Sequence, residues 1–164
     1  MATNRITVDA SREDVFDVLS DAHSYAGWVV GASEVRGADA SWPDARASFS
    51  HTQGVPALGL RDSTTVIESQ RPRRLRLCVR LRPLLTSEVL FELRQRGSKT
   101  EITMVEHPEG GLLNPVHNPI VDAAFKLRNV ETLRRLKRWS EYTARRRLQK
   151  APKRQTARSR GRAS

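Results

Sequence analysis

The order of segment types along the chain constrains the fold most. An alternating segment at Ile6–Ala10 precedes an amphipathic one at Ser11–Ser20, several alternating segments follow between Ala32 and His107, and a long amphipathic stretch covers Asn118–Arg147. Alternation with a period of two predicts strands that bury one face, whereas a period near 3.6 predicts helices. The order therefore predicts an α+β domain, in which a curved antiparallel sheet carries a long C-terminal helix across its concave face.

The first helix has a clear start signal. Ser11 follows the first strand, at the position where a short hydroxyl side chain caps a helix, and two acidic residues occupy the first turn, where the helix dipole favours negative charge. Asp21 is suited to cap a second, shorter helical turn, which places Tyr25 and Trp28 three residues apart on one face. Because both rings keep a polar tip, we expect them at a cavity wall.

Turn signals recur at strand-like intervals after Val29, which is typical of an antiparallel meander. Within the strands, alternation separates an apolar face from a polar one. The apolar set is Leu75, Leu77, Val79, Leu81, Val89, Phe91 and Leu93, and the polar set is Arg76, Cys78, Arg80, Arg82, Glu88, Glu92 and Arg94. We expect the charged residues to form cross-strand pairs on the solvent face, each worth at most about 1 kcal/mol.

Two ionisable side chains share a face with apolar neighbours. His51 alternates in phase with Phe49, and Glu106 alternates in phase with Met104. Desolvation raises the pKa of an inward carboxyl group, and an inward imidazole can orient or protonate a carbonyl, so His51 and Glu106 are candidate catalytic residues. The simpler alternative is that both are merely hydrogen-bonded core residues, and a one-residue bulge would turn either outward.

The last predicted helix follows a loop at Pro108–Gly111 and begins at Asn118, a capping residue, with Pro119 at the first helical position. Its apolar stripe comprises Ile120, Ala123, Ala124, Leu127, Val130, Leu133 and Leu136. Because Ala123 and Ala124 are small, they leave room for a ligand between the first turns and the sheet. The predicted ligand-binding residues are Tyr25, Trp28, Phe49, His51, Val79, Phe91, Met104, Ala123, Ala124 and Leu127.

The segment Gly54–Leu60 places apolar residues between glycines. This pattern suits a lid over an apolar mouth, and it equally suits an ordinary hairpin connection that is tucked against the core. The sequence leaves both alternatives open.

The formal charge of +11 is concentrated at the C-terminus. Between positions 145 and 164 there are nine basic residues and no acidic one, which leaves 20 basic against 18 acidic residues before them. We expect a single domain over 1–147 and a disordered basic tail over 148–164, because such a composition buries too little apolar surface to offset the entropy of ordering. A solvated tail is favoured over a contact with nucleic acid or an anionic membrane.

Several classes of protein are excluded by what the sequence lacks. Cys78 is the single cysteine, the N-terminal residues do not read as a signal peptide, and no apolar run is long enough to span a bilayer, so we expect a cytoplasmic protein. Phosphate-binding glycine loops, paired cysteines and the zinc-protease and nucleophile-elbow motifs are absent, and the histidines are too scattered to predict a metal site. No metal and no cofactor are therefore expected.

The order of these motifs resembles bacterial members of the SRPBCC, or START-like, superfamily, often described as polyketide cyclase/dehydrase proteins. The resemblance covers about residues 4–144 and rests on Ile6–Ser11 with Val15–Leu19, Tyr25–Gly31, Thr103–Gly111, and His117–Pro119 with Arg128–Glu131. It implies a helix-grip fold of the START/Bet v 1-like type, in which a seven-stranded antiparallel sheet, two short helices and a long C-terminal helix surround a hydrophobic cavity. It implies no particular reaction, because the superfamily contains lipid carriers, hormone receptors and aromatic cyclases.

Three functions remain open on the sequence alone. The favoured one is a binding or carrier protein for a hydrophobic small molecule, such as a lipid or a polyketide-like ring system. The second is a polyketide cyclase/dehydratase-type enzyme, in which His51, Glu106 or Tyr25 assists proton transfer and the cavity orients the substrate. The third is an interaction protein whose basic tail is the functional part.

Overall fold

The computed structural model describes residues 1–53, 61–81, 85–110 and 119–150. Within these residues the strands are β1 (Ala2–Val8), β2 (Ala32–Ala38), β3 (Ser48–Gln53), β4 (Arg61–Gln70), β5 (Arg74–Leu81), β6 (Leu85–Arg96) and β7 (Lys99–Gly110). The helices are α1 (Arg12–Leu19), a 3-10 turn (Ala22–Ser24), α2 (Tyr25–Trp28) and α3 (Pro119–Lys150). The predicted order of strand, short helices, strands and long helix is confirmed.

The strands form one antiparallel sheet in the order β1-β7-β6-β5-β4-β3-β2. Strands β2 to β7 are each next to their neighbours in sequence, as expected for a meander. Because β1 and β2 lie at opposite edges, α1, the 3-10 turn and α2 carry the chain from one edge to the other. Helix α3 packs mainly against β1, α1 and α2, so the helices cover one face of the sheet.

The capping residues of the short helices are confirmed. The Ser11 hydroxyl oxygen accepts a hydrogen bond from the Asp14 amide at 3.1 Å, and the Asp21 carboxylate accepts one from the His23 amide at 3.0 Å. These side chains satisfy backbone donors that the first turn of a helix leaves without partners. Helix α1 then buries Phe16 and its apolar neighbours against the sheet.

The two faces of the central strands are also confirmed. The apolar face is buried, including Leu75, Leu77, Val89, Phe91 and Leu93. On the opposite face, Arg74 contacts Glu92 at 2.8 Å, and Arg76 lies 3.5 Å from both Glu88 and Glu68. These cross-strand pairs are partly exposed, so each contributes at most about 1 kcal/mol.

The apolar stripe predicted for the start of α3 is wrong. Leu133 and Leu136 are buried as expected, but Ala123 and Ala124 are exposed, and Leu127 is 69% exposed. The buried face instead continues through Asn129, Thr132, Leu133, Leu136, Ser140 and Ala144. Since each residue turns the helix by about 100°, Leu127 lies on nearly the opposite side from Asn129. Tertiary hydrogen bonds to Asn129 and Thr132, described below, set this rotation.

Two boundaries differ from the sequence prediction. A loop was predicted at Pro108–Gly111, but β7 continues as far as Gly110. Pro108 pairs with Ser87 beside a register shift. A residue without an amide hydrogen is tolerated at such a position. Helix α3 continues past Arg147 to Lys150, so the first residues of the predicted tail are helical. The segment Gly54–Leu60, the cap Asn118 and residues 151–164 lie outside the described residues.

Candidate functional site

A hollow lies between the sheet and the helices. Its wall is mostly aromatic and aliphatic and comes from α2, α3 and the strands β2 to β7. The structure places several of the predicted ligand-binding residues there, namely Tyr25, Trp28, Phe49, His51, Val79, Phe91 and Met104. The predicted residues Ala123, Ala124 and Leu127 do not line it, because they occupy the exposed side of α3. Arg128 and Thr132 provide the contribution of α3 to the wall instead.

Aromatic rings form one side of the hollow. The Tyr25 ring centroid lies 4.4 Å from that of Trp28 and 4.9 Å from that of Phe49. Trp42 packs edge-on against Phe49 at 4.7 Å. Tilted and edge-to-face rings at such distances attract one another. The cluster therefore makes a stiff apolar wall.

The polar tips of these rings are already occupied. The Tyr25 hydroxyl donates a hydrogen bond to the Leu19 carbonyl oxygen at 3.0 Å, and the Trp28 indole N–H donates one to the Ser24 hydroxyl oxygen at 2.9 Å. Burial raises the pKa of Tyr25 above its ordinary value, so the hydroxyl stays protonated at neutral pH. Tyr25 thus contributes its ring to the hollow, and its hydroxyl is poorly placed for the proton transfer that the enzyme hypothesis assigned to it.

The hollow is small. Its volume is about 40 Å³, whereas sites that hold drug-sized molecules measure roughly 300–1,000 Å³. Within the described residues, the room for a ligand expected beside Ala123 and Ala124 is not found, because both residues lie on the exposed side of α3. A guest larger than a few water molecules therefore requires part of the wall to move.

Glu106 points inward, as predicted, and is 2% exposed. Its Oε2 accepts a hydrogen bond from Asn129 Nδ2 at 2.6 Å, and Arg128 lies 3.9 Å from its Oε1. The carboxyl group thereby connects β7 to α3. This arrangement agrees with the simpler alternative of a hydrogen-bonded core residue, and Glu106 itself is not part of the wall of the hollow.

His51 also points inward and is 4% exposed. Its ring lies 5.3 Å from that of Phe49, and it forms part of the wall. His51 and Glu106 are not neighbours in the sheet, because three strands separate β3 from β7. Four strand spacings correspond to about 19 Å along the sheet.

The residue directly opposite His51 is Asp62, on β4. Asp62 is 2% exposed, and neither of its carboxylate oxygens has a hydrogen-bond partner among the described residues. Burial raises the pKa of Asp62 from 3.8 to about 6, although the positive charge of Arg36 acts in the opposite direction. Sequence reasoning missed this carboxylate. Both faces of β4 carry polar residues near Asp62, so only the register of β4 against β3 identifies the inward face.

Two absences apply to the described part of the chain. No three side chains of His, Cys, Asp and Glu come together there in a way that could hold a metal ion. No helix in that part is both long enough and apolar enough to cross a bilayer.

Comparisons with known proteins identify the family. A family model described as polyketide cyclase / dehydrase and lipid transport matches residues 2–141. A search of curated proteins found no match. Many solved structures share the fold.

Protein CV1439 from Chromobacterium violaceum is 15% identical with a TM-score of 0.63, and the match covers 86% of this chain and 99% of that one. The di-domain ARO/CYC StfQ from the steffimycin biosynthetic pathway is 14% identical with a TM-score of 0.65, and the match covers 90% of this chain and 46% of that one. DynU16 from the dynemicin biosynthetic locus is 17% identical with a TM-score of 0.63, and the match covers 85% of this chain and 46% of that one. At these identities the likeness is one of fold, and it confirms the helix-grip architecture. Because the family match covers most of its length, the chain belongs to the polyketide cyclase/dehydrase and lipid transport family.

Proposed function

We propose that the protein binds a hydrophobic small molecule, such as a lipid or a polyketide-like ring system, between the sheet and the helices. The observation that carries this proposal is the convergence of apolar side chains from α2 and β3 to β7 on a hollow that they do not fill completely. Membership of a family described by cyclase, dehydrase and lipid transport activities supports the same class of ligand. The driving force is removal of apolar surface from water.

The least buried part of the wall indicates where a guest enters. Val29 and Ala32 on one side and Arg128 on the other are only half-buried, whereas Trp28 and Phe49 are fully buried. Val79 on β5 is also half-buried, but Val29, Ala32 and Arg128 lie together where the chain leaves α2 for β2 and faces α3. We therefore place the opening between the start of β2 and the part of α3 that carries Arg128 and Thr132.

Among the described residues, one hydrogen bond spans this opening. The Val30 amide donates to the Thr132 hydroxyl oxygen at 3.2 Å. One neutral hydrogen bond contributes about 1 kcal/mol net, so separation of α3 from β2 at this point is inexpensive. Entry of a guest then requires displacement of the Arg128 side chain, whose charged end is partly exposed.

The affinity is expected to be modest. A guest that buries about 300 Å² of apolar surface gains about 7 kcal/mol at about 25 cal/mol per Å². The displacement of wall side chains and the lost freedom of the guest offset part of this gain. We expect dissociation constants in the micromolar range or weaker for simple apolar probes.

A titration with 2-methylnaphthalene tests the proposal, because Trp28 lies in the wall and its fluorescence reports a nearby guest. Wild type should show saturable quenching. Val89→Phe places a larger side chain in the wall and should abolish it, whereas Val130→Phe, on α3 but outside the hollow, should bind like wild type. Absence of saturable quenching in wild type, or equal binding by Val89→Phe, contradicts the proposal.

An enzyme of the polyketide cyclase/dehydratase type is the second candidate, and the observation that favours it is the His51 imidazole in the wall. An imidazole at the end of an apolar site is suited to proton transfer to or from a bound ketone. Replacing His51 and Glu106 together by glutamine should abolish turnover of a poly-β-ketone while probe affinity is kept. Unchanged turnover would exclude these residues from catalysis.

A further inference from the structure

Asp62 has an unusual environment for a carboxylate. It is buried, and neither oxygen accepts a hydrogen bond from any described residue. A buried carboxylate ordinarily has a cation or several hydrogen-bond donors beside it, because an unpartnered one is costly. A carboxylate whose oxygens have no partner among the described residues is therefore suited to receive a donor from outside.

The position of Asp62 relates it to the hollow. His51 is its direct cross-strand neighbour, and Thr64 lies two residues further along β4 on the same face. Both His51 and Thr64 form part of the wall. Side chains opposite each other in an antiparallel pair have Cβ atoms about 4.5–5.5 Å apart, so Asp62 lies next to the His51 end of the hollow, although Asp62 itself is not part of the wall.

Arg36, whose positive charge lowers the pKa of Asp62, does not neutralise it by contact. Arg36 is exposed, and its guanidinium donates to the His51 backbone oxygen at 3.3 Å, while no ion pair joins it to Asp62 among the described residues. The raised pKa of Asp62, about 6, reflects burial that is only partly compensated. At about pH 7.5 most molecules nevertheless carry an ionised Asp62.

We propose that Asp62 is a polar recognition site for the guest, and that it selects apolar molecules bearing a hydrogen-bond donor, either a hydroxyl or an ammonium group. This inference rests on the proposed function and specifies its ligand. The apolar body lies against the rings of Tyr25 and Phe49, and the donor reaches the Asp62 carboxylate beside His51. An ionised carboxylate only accepts hydrogen bonds, so an anionic guest is repelled and a plain hydrocarbon leaves the carboxylate unpartnered.

Four probes with the same ring system test the inference: 2-methylnaphthalene, 2-naphthalenemethanol, 2-naphthylmethylamine and 2-naphthoate. Dissociation constants are measured by tryptophan quenching of the full chain at about pH 7.5. Because a hydrogen bond to a charged group is strong, we expect the alcohol, the amine or both to bind roughly tenfold tighter than 2-methylnaphthalene. The naphthoate should bind weakest. Preference for the alcohol or for the amine shows which donor the site takes.

Variants at position 62 separate the contact from general effects. Asp62→Leu should remove the preference for both donor probes, while Asp62→Asn, which keeps one acceptor oxygen, should remove only the preference for the amine. Asp9→Asn makes the same change of charge at an exposed, ion-paired position and should leave all four constants unchanged. Thermal unfolding of each variant shows whether it is folded. If Asp62→Leu does not fold, the amine preference measured in Asp62→Asn tests the inference.

The outcomes distinguish the two proposals. If wild type binds 2-methylnaphthalene as tightly as the alcohol and the amine, the recognition site is refuted and the hydrophobic-guest proposal stands. If the preference survives in Asp62→Leu, the donor is received elsewhere and the inference is equally refuted. If none of the four probes binds wild type, the hydrophobic-guest proposal fails and this inference fails with it.

Discussion

The contact between Glu106 and Asn129 is the polar link by which β7 orients α3, and removing it should cost stability. Asn129 is fully buried, and its Nδ2 donates to Glu106 Oε2 at 2.6 Å. Asn129→Ala leaves the buried carboxyl group with Arg128 as its polar partner among the described residues, and the guanidinium nitrogen of Arg128 lies 3.9 Å away. Loss of a hydrogen bond to a carboxylate, together with the cost of an unsatisfied buried oxygen, amounts to about 2–4 kcal/mol. For a protein of this size, that corresponds to a fall of roughly 4–16 °C in Tm.

A matched variant separates the hydrogen bond from the charge. Glu106→Gln retains an acceptor oxygen for Asn129 and removes the buried charge, so its stability should remain within about 1 kcal/mol of wild type. In the Glu106→Gln background, Asn129→Ala should cost at least about 1 kcal/mol less than it costs in wild type, because the group left behind is neutral.

Wild type, the two single variants and the double variant form a double-mutant cycle. Urea and thermal unfolding, followed by circular dichroism, measure the stability of these four proteins. The reasoning is refuted if Asn129→Ala unfolds within about 0.5 kcal/mol of wild type, or if the two substitutions are additive. Either result would mean that the contact does not fix the position of α3.

Two further predictions concern packing and pH. Gly27→Ala should destabilise by about 1–3 kcal/mol in urea unfolding, because its Cβ would lie 2.5 Å from Cζ3 of Trp139, and Trp139→Ala should relieve most of that cost. Gly37→Ala is the control: its Cβ would meet no atom within 4 Å, so a change above about 0.5 kcal/mol would show that the Gly27 effect is not steric. Because the pKa of Asp62 is raised from 3.8 to about 6 by folding, the native state binds more protons between these values, and this contribution to stability is lost as pH rises through about 6. Asp62→Asn should therefore gain stability relative to wild type between about pH 4 and 7, and parallel pH profiles would contradict a buried carboxylate.

Local patterns were sufficient for much of the fold. The caps Ser11 and Asp21 act on amides two or three residues away, so the sequence alone contains the interaction. The alternation that places Glu106 and His51 inward likewise depends only on the pleat of one strand. These predictions are confirmed because each is decided within a few residues of chain.

The rotation of α3 was not predictable in this way. Ala123 and Leu127 look like part of an apolar stripe, yet Asn129 and Thr132 face inward because Glu106 and the Val30 amide provide their partners. Partners so distant in sequence are not visible in a helical period. Polar residues with specific tertiary hydrogen bonds therefore outweighed the apolar pattern.

The inward position of Asp62 and the size of the hollow could not be predicted from the sequence, for related reasons. In β4 both faces carry polar residues, so only pairing with β3 reveals that Asp62 lies beside His51. The volume of about 40 Å³ depends on how rings such as Trp42 and Phe49 interlock, and composition does not determine such packing.

Native mass spectrometry of the full chain, freshly purified and again after incubation with a total lipid extract, tests the central claim most directly. The account predicts a complex with one apolar molecule per chain in wild type and in Val130→Phe, and the bare chain in Val89→Phe, where the wall of the hollow is overfilled. Extraction into organic solvent then identifies the guest. Bare chain in all three proteins after incubation would contradict the claim that the interior opens to admit a hydrophobic molecule.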